Sequence, residues 1–172
     1  MSNPKKLSHF NASGQATMVD VSEKEVTRRE AIARGEILMQ PETIALLARK
    51  ALPKGDGLEA ARLAGILAAK KTGELIPLCH PLGLDYVDVQ INVQPDRLAL
   101  EATARCTGRT GVEMEALTAV AVAGLTLYDM CKAVDREMVI GQIRLVKKSG
   151  GRTGEYRRPG EEFAPEGEAG TS

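Results

Sequence analysis

A carboxylate and an ammonium group are spaced to meet on one face of a helix near the middle of the chain's second half. Asp129 and Lys132 are three residues apart and follow a long apolar stretch. If both side chains are exposed, the pair stabilises a helix by only about 0.2–0.5 kcal/mol. If they are partly buried, each charge shifts the pKa of the other, as in an acid–base couple. The two residues alone favour neither interpretation.

One of the two histidines lies in a stiff loop. His80 is found between Pro77 and Pro81, and a proline restricts both its own φ and the residue before it. A rigid imidazole can transfer protons or hydrogen-bond a heterocycle near neutral pH. The alternative interpretation is a loop histidine that is bonded only to backbone, and it is the more common case.

A possible anion site comes just before a predicted helix. Residues 107–111 are Thr-Gly-Arg-Thr-Gly, and such residues at a helix N-terminus can present free backbone N–H groups to an anion. Glu113 and Glu115 follow, where the helix dipole stabilises carboxylates by about 0.3–1 kcal/mol, so helix stabilisation alone explains them. Their alternative role is to accept hydrogen bonds from the N–H groups of a guanine-like ring.

Several basic residues lie at the ends of predicted elements. They are Arg29, Lys54 beside Gly55, and the Lys147-Lys148 pair before Ser-Gly-Gly. Cations that converge at the ends of elements would suit a polyphosphate. Taken one at a time, each of these residues is more simply interpreted as a solvated surface residue. The chain contains no Walker or Rossmann glycine pattern.

Composition excludes several classes of protein. The 23 basic residues equal the 23 acidic ones, which argues against a general nucleic-acid binder. The three cysteines show no CxxC spacing, so neither a disulfide framework nor a zinc site is indicated. The start of the chain lacks the apolar stretch of a secretory signal, and no apolar run reaches the ~20 residues of a membrane span. We expect a cytoplasmic protein that binds neither nucleic acid nor membrane and holds no metal.

Hydrophobic periodicity predicts the order strand, two helices, hairpin, helix, strand. Apolar and polar residues alternate over about 27–39, 87–93, 98–106 and 138–146, and apolar residues recur at helical spacing after Pro41, after Asp56 and over about 113–134. This order indicates an α+β class, a ferredoxin-like antiparallel sheet packed on helices, with an additional helix.

One domain, residues 15–154, is predicted between two disordered segments, residues 1–14 and a tail of residues 155–172 that is rich in Gly, Pro and Glu. The helix over 113–134 is apolar almost all round, so one face of a sheet can cover only part of its apolar surface. Burial against another subunit is therefore expected.

Besides acid–base catalysis, one non-catalytic function stays open, and the sequence argues against two further functions. A ferredoxin-like regulatory module that binds a nucleotide or amino acid between subunits needs no acid–base residues. An RNA-recognition module needs aromatic residues on its strands, but the chain has only two Phe, three Tyr and no Trp. A metal hydrolase needs a ligand set that the sequence does not offer.

Five sequence blocks, taken together, carry a family resemblance. They are Met-Val-Asp-Val from Met18, Lys-Gly-Asp from Lys54, Pro-Leu-Cys-His-Pro-Leu from Pro77, Thr-Gly-Val-Glu-Met-Glu-Ala-Leu-Thr from Thr110, and Tyr-Asp-Met-Cys-Lys-Ala from Tyr128. With these blocks the chain resembles the cyclic pyranopterin monophosphate synthases, the MoaC family, from about residue 7 to residue 154.

The resemblance implies an enzyme of molybdenum cofactor biosynthesis. Such a lyase converts (8S)-3',8-cyclo-7,8-dihydroguanosine 5'-triphosphate, a cyclised GTP derivative, to cyclic pyranopterin monophosphate and releases pyrophosphate. It implies no redox cofactor, and it implies a homohexamer, a trimer of dimers, with active sites at subunit interfaces. It also implies a role for each matching residue: catalysis by Asp129, Lys132 and Lys54, and substrate binding by Leu78, Cys79, His80, Glu113, Met114, Glu115, Arg29 and Lys148, the last two facing the triphosphate.

Overall fold

The protein, in a computed structural model that describes residues 13–152 and 154–163, contains a five-stranded antiparallel sheet in the order β2-β3-β1-β4-β5. The strands are β1 (Thr27–Leu38), β2 (Tyr86–Val93), β3 (Arg97–Gly108), β4 (Val139–Ser149) and β5 (Tyr156–Arg157). The helices are α1 (Pro41–Ala48), α2 (Gly57–Lys70), α3 (Thr72–Leu75) and α4 (Glu113–Cys131).

The first four strands have a ferredoxin-like arrangement, because the hairpin β2–β3 places β3 beside β1 and β4 pairs with the other side of β1. The predicted α+β class is therefore confirmed. Two boundaries differ from the prediction, because α4 ends at Cys131 and β4 continues to Ser149. The short helix α3, which follows α2, was not predicted. Gly73 lies inside α3, against Pro81.

Local sequence explains where the first two helices begin. Pro41 is in the first turn of α1, where a backbone N–H would have no helical partner. Asp56 caps α2, since its side chain accepts a hydrogen bond from the backbone N–H of Glu59 at 3.1 Å. This cap matters for the site described below, because it fixes the turn that carries Lys54.

Small side chains let α4 approach the sheet and α2 closely. Ala31 and Ala33 of β1 and Ala102 and Ala104 of β3 are fully buried on the face that α4 covers. Gly65 of α2 lies against α4, where an added Cβ would be 2.8 Å from the backbone oxygen of Ala119. The core is thus a sheet, α4 and α2 in close contact.

The side of α4 that faces away from the sheet is apolar too, and α2 of the same chain covers most of it. Another subunit is therefore needed to cover only the part that α2 leaves exposed. Large apolar side chains remain exposed in this layer: Leu63 and Leu67 of α2 are 54% and 55% exposed, and Leu125 of α4 is 60% exposed. By length and composition α4 could also cross a membrane, a test that the core helix of a soluble protein passes equally well.

The opposite face of the sheet carries ion pairs between neighbouring strands. Arg34 pairs with Glu101 at 2.6 Å, and Arg105 pairs with Glu30 at 2.6 Å. Pairs of this kind, partly exposed, each contribute about 0–1 kcal/mol. We call this surface the outer face; it is polar, whereas the inner face is apolar.

Part of the C-terminal segment, residues 155–163, lies on the outer face. The Glu161 carboxylate accepts hydrogen bonds from Arg34 at 2.9 Å and from Arg144 at 2.5 Å. The Arg34 guanidinium also lies 5.4 Å from the ring centre of Phe163. These contacts are made by charged groups and one aromatic ring rather than by buried aliphatic side chains. Residues 164–172 and 1–12 lie outside the described residues.

Candidate active site

Lys54, Asp129 and Lys132 form one contact group, the Asp129 cluster. Lys54 Nζ donates to Asp129 Oδ2 at 2.7 Å and to the Asp129 backbone oxygen at 2.9 Å. Lys132 Nζ lies 2.8 Å from Asp129 Oδ1. Lys54 comes from the turn before α2, where Gly55 adopts φ +96°, and Asp129 comes from the last turns of α4. The structure thus brings together all three residues for which the resemblance implied catalysis.

The charges of the Asp129 cluster assign a resting protonation state. Hydrogen bonds from Lys132 and then Lys54 lower the pKa of Asp129 to about 2, and Asp129 in turn raises the pKa of Lys132. Near neutral pH the carboxylate is therefore ionised, and the available proton donors are the two ammonium groups. All three side chains are 45–55% exposed, so a ligand can reach them.

A second polar site, the cationic pocket, lies at the other end of α4. It is a cavity of about 350 Å³ where the starts of β1 and α4 meet the end of β4. Five basic and three acidic side chains line it: Lys24, Arg29, Arg109, Lys148 and Arg152, against Glu25, Glu30 and Glu113. The excess of cations suits a ligand with several negative charges.

Glycines after β4 make room for Arg29 in the cationic pocket. Arg29 Nε donates to the Gly108 oxygen at 3.4 Å, and Nη2 donates to the Arg109 oxygen at 3.4 Å. Gly151 adopts φ +74°, and a Cβ there would overlap the Arg29 guanidinium. A side chain at this position would be strained and would also displace Arg29.

Lys148 and Glu113 pair across the cationic pocket, with Lys148 Nζ 2.9 Å from Glu113 Oε1. An anionic ligand would compete with Glu113 for Lys148. The pocket therefore contains both of the basic residues predicted to face a triphosphate, and Glu113 beside them.

The histidine loop contacts the chain's N-terminal part. His80 Nε2 is 2.8 Å from the Val19 backbone oxygen, so Nε2–H donates and Nδ1 is left for another partner. Asp20 follows Val19, and hydrogen bonds from the Ser22 side chain and backbone lower its pKa. Leu78, in the same loop, is at the surface. The backbone-bonded histidine considered from the sequence is therefore what the structure contains, although one ring nitrogen stays available.

Glu115 is a buried carboxyl group near this loop. It is only 4% exposed, and burial raises its pKa to about 6. Burial, and then the charge of Glu115, raise the pKa of the Cys79 thiol, which places Cys79 near Glu115. Met114, one residue earlier, points outward and is 37% exposed. Of the substrate-binding residues predicted at 78–80 and 113–115, the second set begins α4, and the charge of Glu115 acts on Cys79 of the first set.

The two groups of predicted site residues are far apart within one chain. Glu113 and Asp129 are 16 positions apart on α4. At ~1.5 Å per residue the helix separates them by about 24 Å. The structure therefore brings the predicted residues together as two groups, not one: the Asp129 cluster at the C-terminal end of α4, and the cationic pocket and histidine loop at its N-terminal end.

Comparison with known proteins identifies the family. The profile of the MoaC family matches residues 18–151. The chain belongs to the MoaC family. This confirms the resemblance seen in the sequence, and the match spans both groups of predicted site residues.

Curated relatives within the MoaC family are similar over almost their whole length. The chain is 60% identical to a protein of Chloroflexus aurantiacus named cyclic pyranopterin monophosphate synthase, over 90% of this chain and 96% of that one. It is 61% identical to the protein of that name from Pelotomaculum thermopropionicum, over 91% and 93%. It is 60% identical to cyclic pyranopterin monophosphate synthase 1 of Mycobacterium tuberculosis, over 92% and 94%.

Several residues of the candidate site were not predicted from the sequence. Arg109 lines the cationic pocket and lies in the stretch 107–111 that was interpreted as a possible anion site, although no role was assigned to its side chain. Arg152 also lines the pocket, and its signal was the glycine-containing stretch beside the last predicted strand. Lys24 and Thr27 line it too, but nothing in their spacing indicated it. Asp20 lies in a block that carried the resemblance, without a role assigned to it.

Within residues 13–152 and 154–163, no three His, Cys, Asp or Glu side chains are grouped so that they could hold a metal ion.

Proposed function

We propose that the protein is a cyclic pyranopterin monophosphate synthase, a lyase that converts cyclised GTP to cyclic pyranopterin monophosphate and pyrophosphate in molybdenum cofactor biosynthesis. The observation that carries the proposal is that relatives about 60% identical over nearly the whole chain bear this name. The Asp129 cluster supports it, because a rearrangement of this kind needs groups that exchange protons.

The Asp129 cluster would perform the proton transfers. The reaction opens the imidazole ring of the purine, forms the pyranopterin, and closes a cyclic phosphate when a sugar hydroxyl attacks the α-phosphorus. Asp129, ionised in the resting protein, is placed to accept a proton. The side-chain nitrogens of Lys54 and Lys132, which contact this carboxylate, are placed to donate one. Base and acids in direct contact can return the proton within the cluster.

The cationic pocket would hold the triphosphate. Pyrophosphate gathers negative charge as it leaves the α-phosphorus, and fixed cations stabilise that charge most when it develops. Arg29 and Lys148 are the two basic residues expected there, and three further basic side chains line the same cavity. Glu115, Met114 and the loop at Leu78, Cys79 and His80 are proposed to contact the purine-derived ring.

We propose that each active site forms between subunits of a homohexamer, a trimer of dimers. The separation of about 24 Å along α4 exceeds the dimensions of a cavity of about 350 Å³, so one small ligand would not reach both groups within a chain. If the C-terminal end of α4 in one subunit meets the pocket of another, both groups can contact one ligand. The exposed leucines on α2 and α4 offer apolar area for subunit contacts.

A cytoplasmic location is part of the proposal. The described residues contain three free cysteines, two of them buried, which suits a reducing compartment.

Incubation of the purified protein with cyclised GTP tests the proposed function. We expect stoichiometric release of pyrophosphate and cyclic pyranopterin monophosphate, measured by a coupled phosphate assay and by mass spectrometry. A protein that binds the cyclised GTP but releases no pyrophosphate would instead be a ligand-binding module of the regulatory type.

A further inference from the structure

A buried hydroxyl without a partner lies in the cationic pocket. Thr27 Oγ1 is shielded from solvent, and it is the one buried side-chain oxygen or nitrogen of the described residues that makes no hydrogen bond. Thr27 is the first residue of β1, opposite Gly108 in the β1–β3 ladder. A buried polar group that is left unpaired costs stability, so a hydroxyl at this position needs an explanation.

The surroundings of Thr27 indicate an anionic partner. The residue lines the same cavity as Arg29, Arg109, Lys148 and Arg152. A hydroxyl can donate one hydrogen bond to a phosphate oxygen, and a bond to a charged oxygen is stronger than one between neutral groups. The guanidinium and ammonium groups would supply the attraction, while the short, β-branched threonine side chain would fix the position of one oxygen.

We propose that the Thr27 hydroxyl donates a hydrogen bond to a phosphate oxygen of the bound triphosphate, and that Arg109 and Arg152 complete the phosphate site formed with Arg29 and Lys148. This inference rests on the proposed function for the identity of the triphosphate as part of a cyclised GTP. The ligand chemistry itself, an inorganic polyphosphate group, can be tested without that substrate.

The Thr27→Val variant separates a role in binding from a role in folding. Valine has nearly the shape of threonine and suits a strand, but it lacks the hydroxyl. If the hydroxyl is kept for a ligand, its removal leaves the folded protein as stable or more stable, because an unpaired buried group is lost. If the hydroxyl instead supports the fold, the same variant melts at a lower temperature.

The probe is inorganic tripolyphosphate, and its affinity is measured by isothermal titration calorimetry at one low salt concentration. We expect Thr27→Val to weaken binding by about ten- to a hundredfold with an unchanged or raised Tm, and Thr27→Ser to stay within about threefold of the wild type. Arg109→Ala should also weaken binding, whereas Arg49→Ala, which removes an exposed cation just after α1, is the control for overall charge.

Each other result is decisive. Wild-type affinity in Thr27→Val, or a lower Tm without a change in affinity, would overturn the role of Thr27. A wild-type protein that does not bind tripolyphosphate would overturn the phosphate site. Tripolyphosphate binding that depends on Thr27, in a protein that does not convert cyclised GTP, would support the phosphate site and contradict the proposed function. If the protein converts cyclised GTP but wild type and Thr27→Val bind tripolyphosphate with equal affinity, the result would support the proposed function and contradict the role of Thr27.

Discussion

The ammonium group of Lys54 lies 2.7 Å from the carboxylate of Asp129, although 75 positions separate the two residues in the chain. Lys54 precedes α2, and Asp129 lies near the end of α4. The contact therefore exists only where α2 is packed along α4, and the close approach at Gly65 permits that packing. The proposed acid–base group is thus a product of the core and not of one local motif.

Replacement of Asp129 by asparagine should remove turnover and leave the fold intact. The side chain is about half exposed, so its loss creates no cavity in the core. An amide cannot accept the proton, and we expect the rate of pyrophosphate release to fall by roughly 10²–10⁴-fold. Circular dichroism checks the fold. Asp96→Asn, which alters an exposed ion pair in the β2–β3 turn, is the matched control. Near wild-type release from Asp129→Asn would contradict the role.

Removal of one lysine should raise the pKa of Asp129 from about 2 towards its ordinary value of 3.8. Since the folded-state pKa is lowered, the ionised carboxylate contributes stability above its ordinary pKa, and this contribution is lost as pH falls through about 2. We expect NMR titration of the Asp129 carboxyl carbon in Lys54→Met to show the increase. Lys50→Met, whose ammonium pairs with Asp56 instead, should leave the titration of Asp129 unchanged.

Two inactive variants should restore activity when their subunits are mixed. If an active site takes Asp129 from one subunit and Arg29 from another, a mixed interface between Asp129→Asn and Arg29→Ala subunits contains one site without either substitution. With random mixing of equal amounts, the subunit that supplies Asp129 carries the wild-type residue in about half of the sites, and so does the subunit that supplies Arg29. About a quarter of the sites therefore contain both wild-type residues, and we expect about a quarter of the wild-type rate. The test is turnover after co-expression. No recovery above the sum of the separate variants would place both residues in one chain's site.

The buried carboxyl of Glu115 should make stability depend on pH. Its folded-state pKa is raised to about 6 from 4.5, so the folded protein holds the proton longer than the unfolded chain, and stability falls as pH rises between these values. Glu115→Gln removes this loss and should be more stable than the wild type near neutral pH by roughly 1–2 kcal/mol, with a smaller difference near the lower pKa. Urea unfolding at both pH values measures it.

A carboxylate with the opposite shift serves as the control for Glu115. Glu161 has a lowered pKa because of hydrogen bonds from Arg144 and Arg34. Glu161→Gln should therefore be less stable than the wild type near neutral pH, and the difference should shrink as the solution is acidified. If both glutamine variants change the stability near neutral pH in the same direction, burial does not determine the pKa of Glu115.

Alanine at position 151 should impair substrate binding more than alanine at position 154. Both glycines adopt positive φ, +74° and +63°, so both substitutions carry a backbone cost of roughly 1–2 kcal/mol. Only at Gly151 would the new Cβ overlap the Arg29 guanidinium, whereas nothing lies within 4 Å of the position at Gly154. We expect KM for cyclised GTP to rise about tenfold in Gly151→Ala and to change little in Gly154→Ala. Equal KM values would show that Arg29 does not need this space.

Patterns with a local cause were predictable from the sequence. The alternation in β1 and in the β2–β3 hairpin follows from one buried sheet face, and Asp56 caps α2 through its own neighbour Glu59. The C-terminal segment was not predictable, because Arg34 and Arg144, which hold Glu161, are distant in sequence. Lys24 and Thr27 were not predicted either. The cavity that they line forms where the ends of three elements meet, and such a meeting produces no periodic pattern in the sequence. The family resemblance suggested which residues belong to the active site. The length of α4 shows that, within one chain, these residues form two separate groups.

The ion pairs on the outer face of the sheet affect how this protein could associate. Dissolved ions screen exposed charges beyond a Debye length of about 8 Å at physiological ionic strength. A dimer that buried the arginine and glutamate rows of this face would be wet and would dissociate more readily in concentrated salt. A contact made through Leu63, Leu67 and Leu125 on the helical side would persist or strengthen under the same conditions. Sedimentation at low and high ionic strength would therefore reveal which of the two layers joins the protomers.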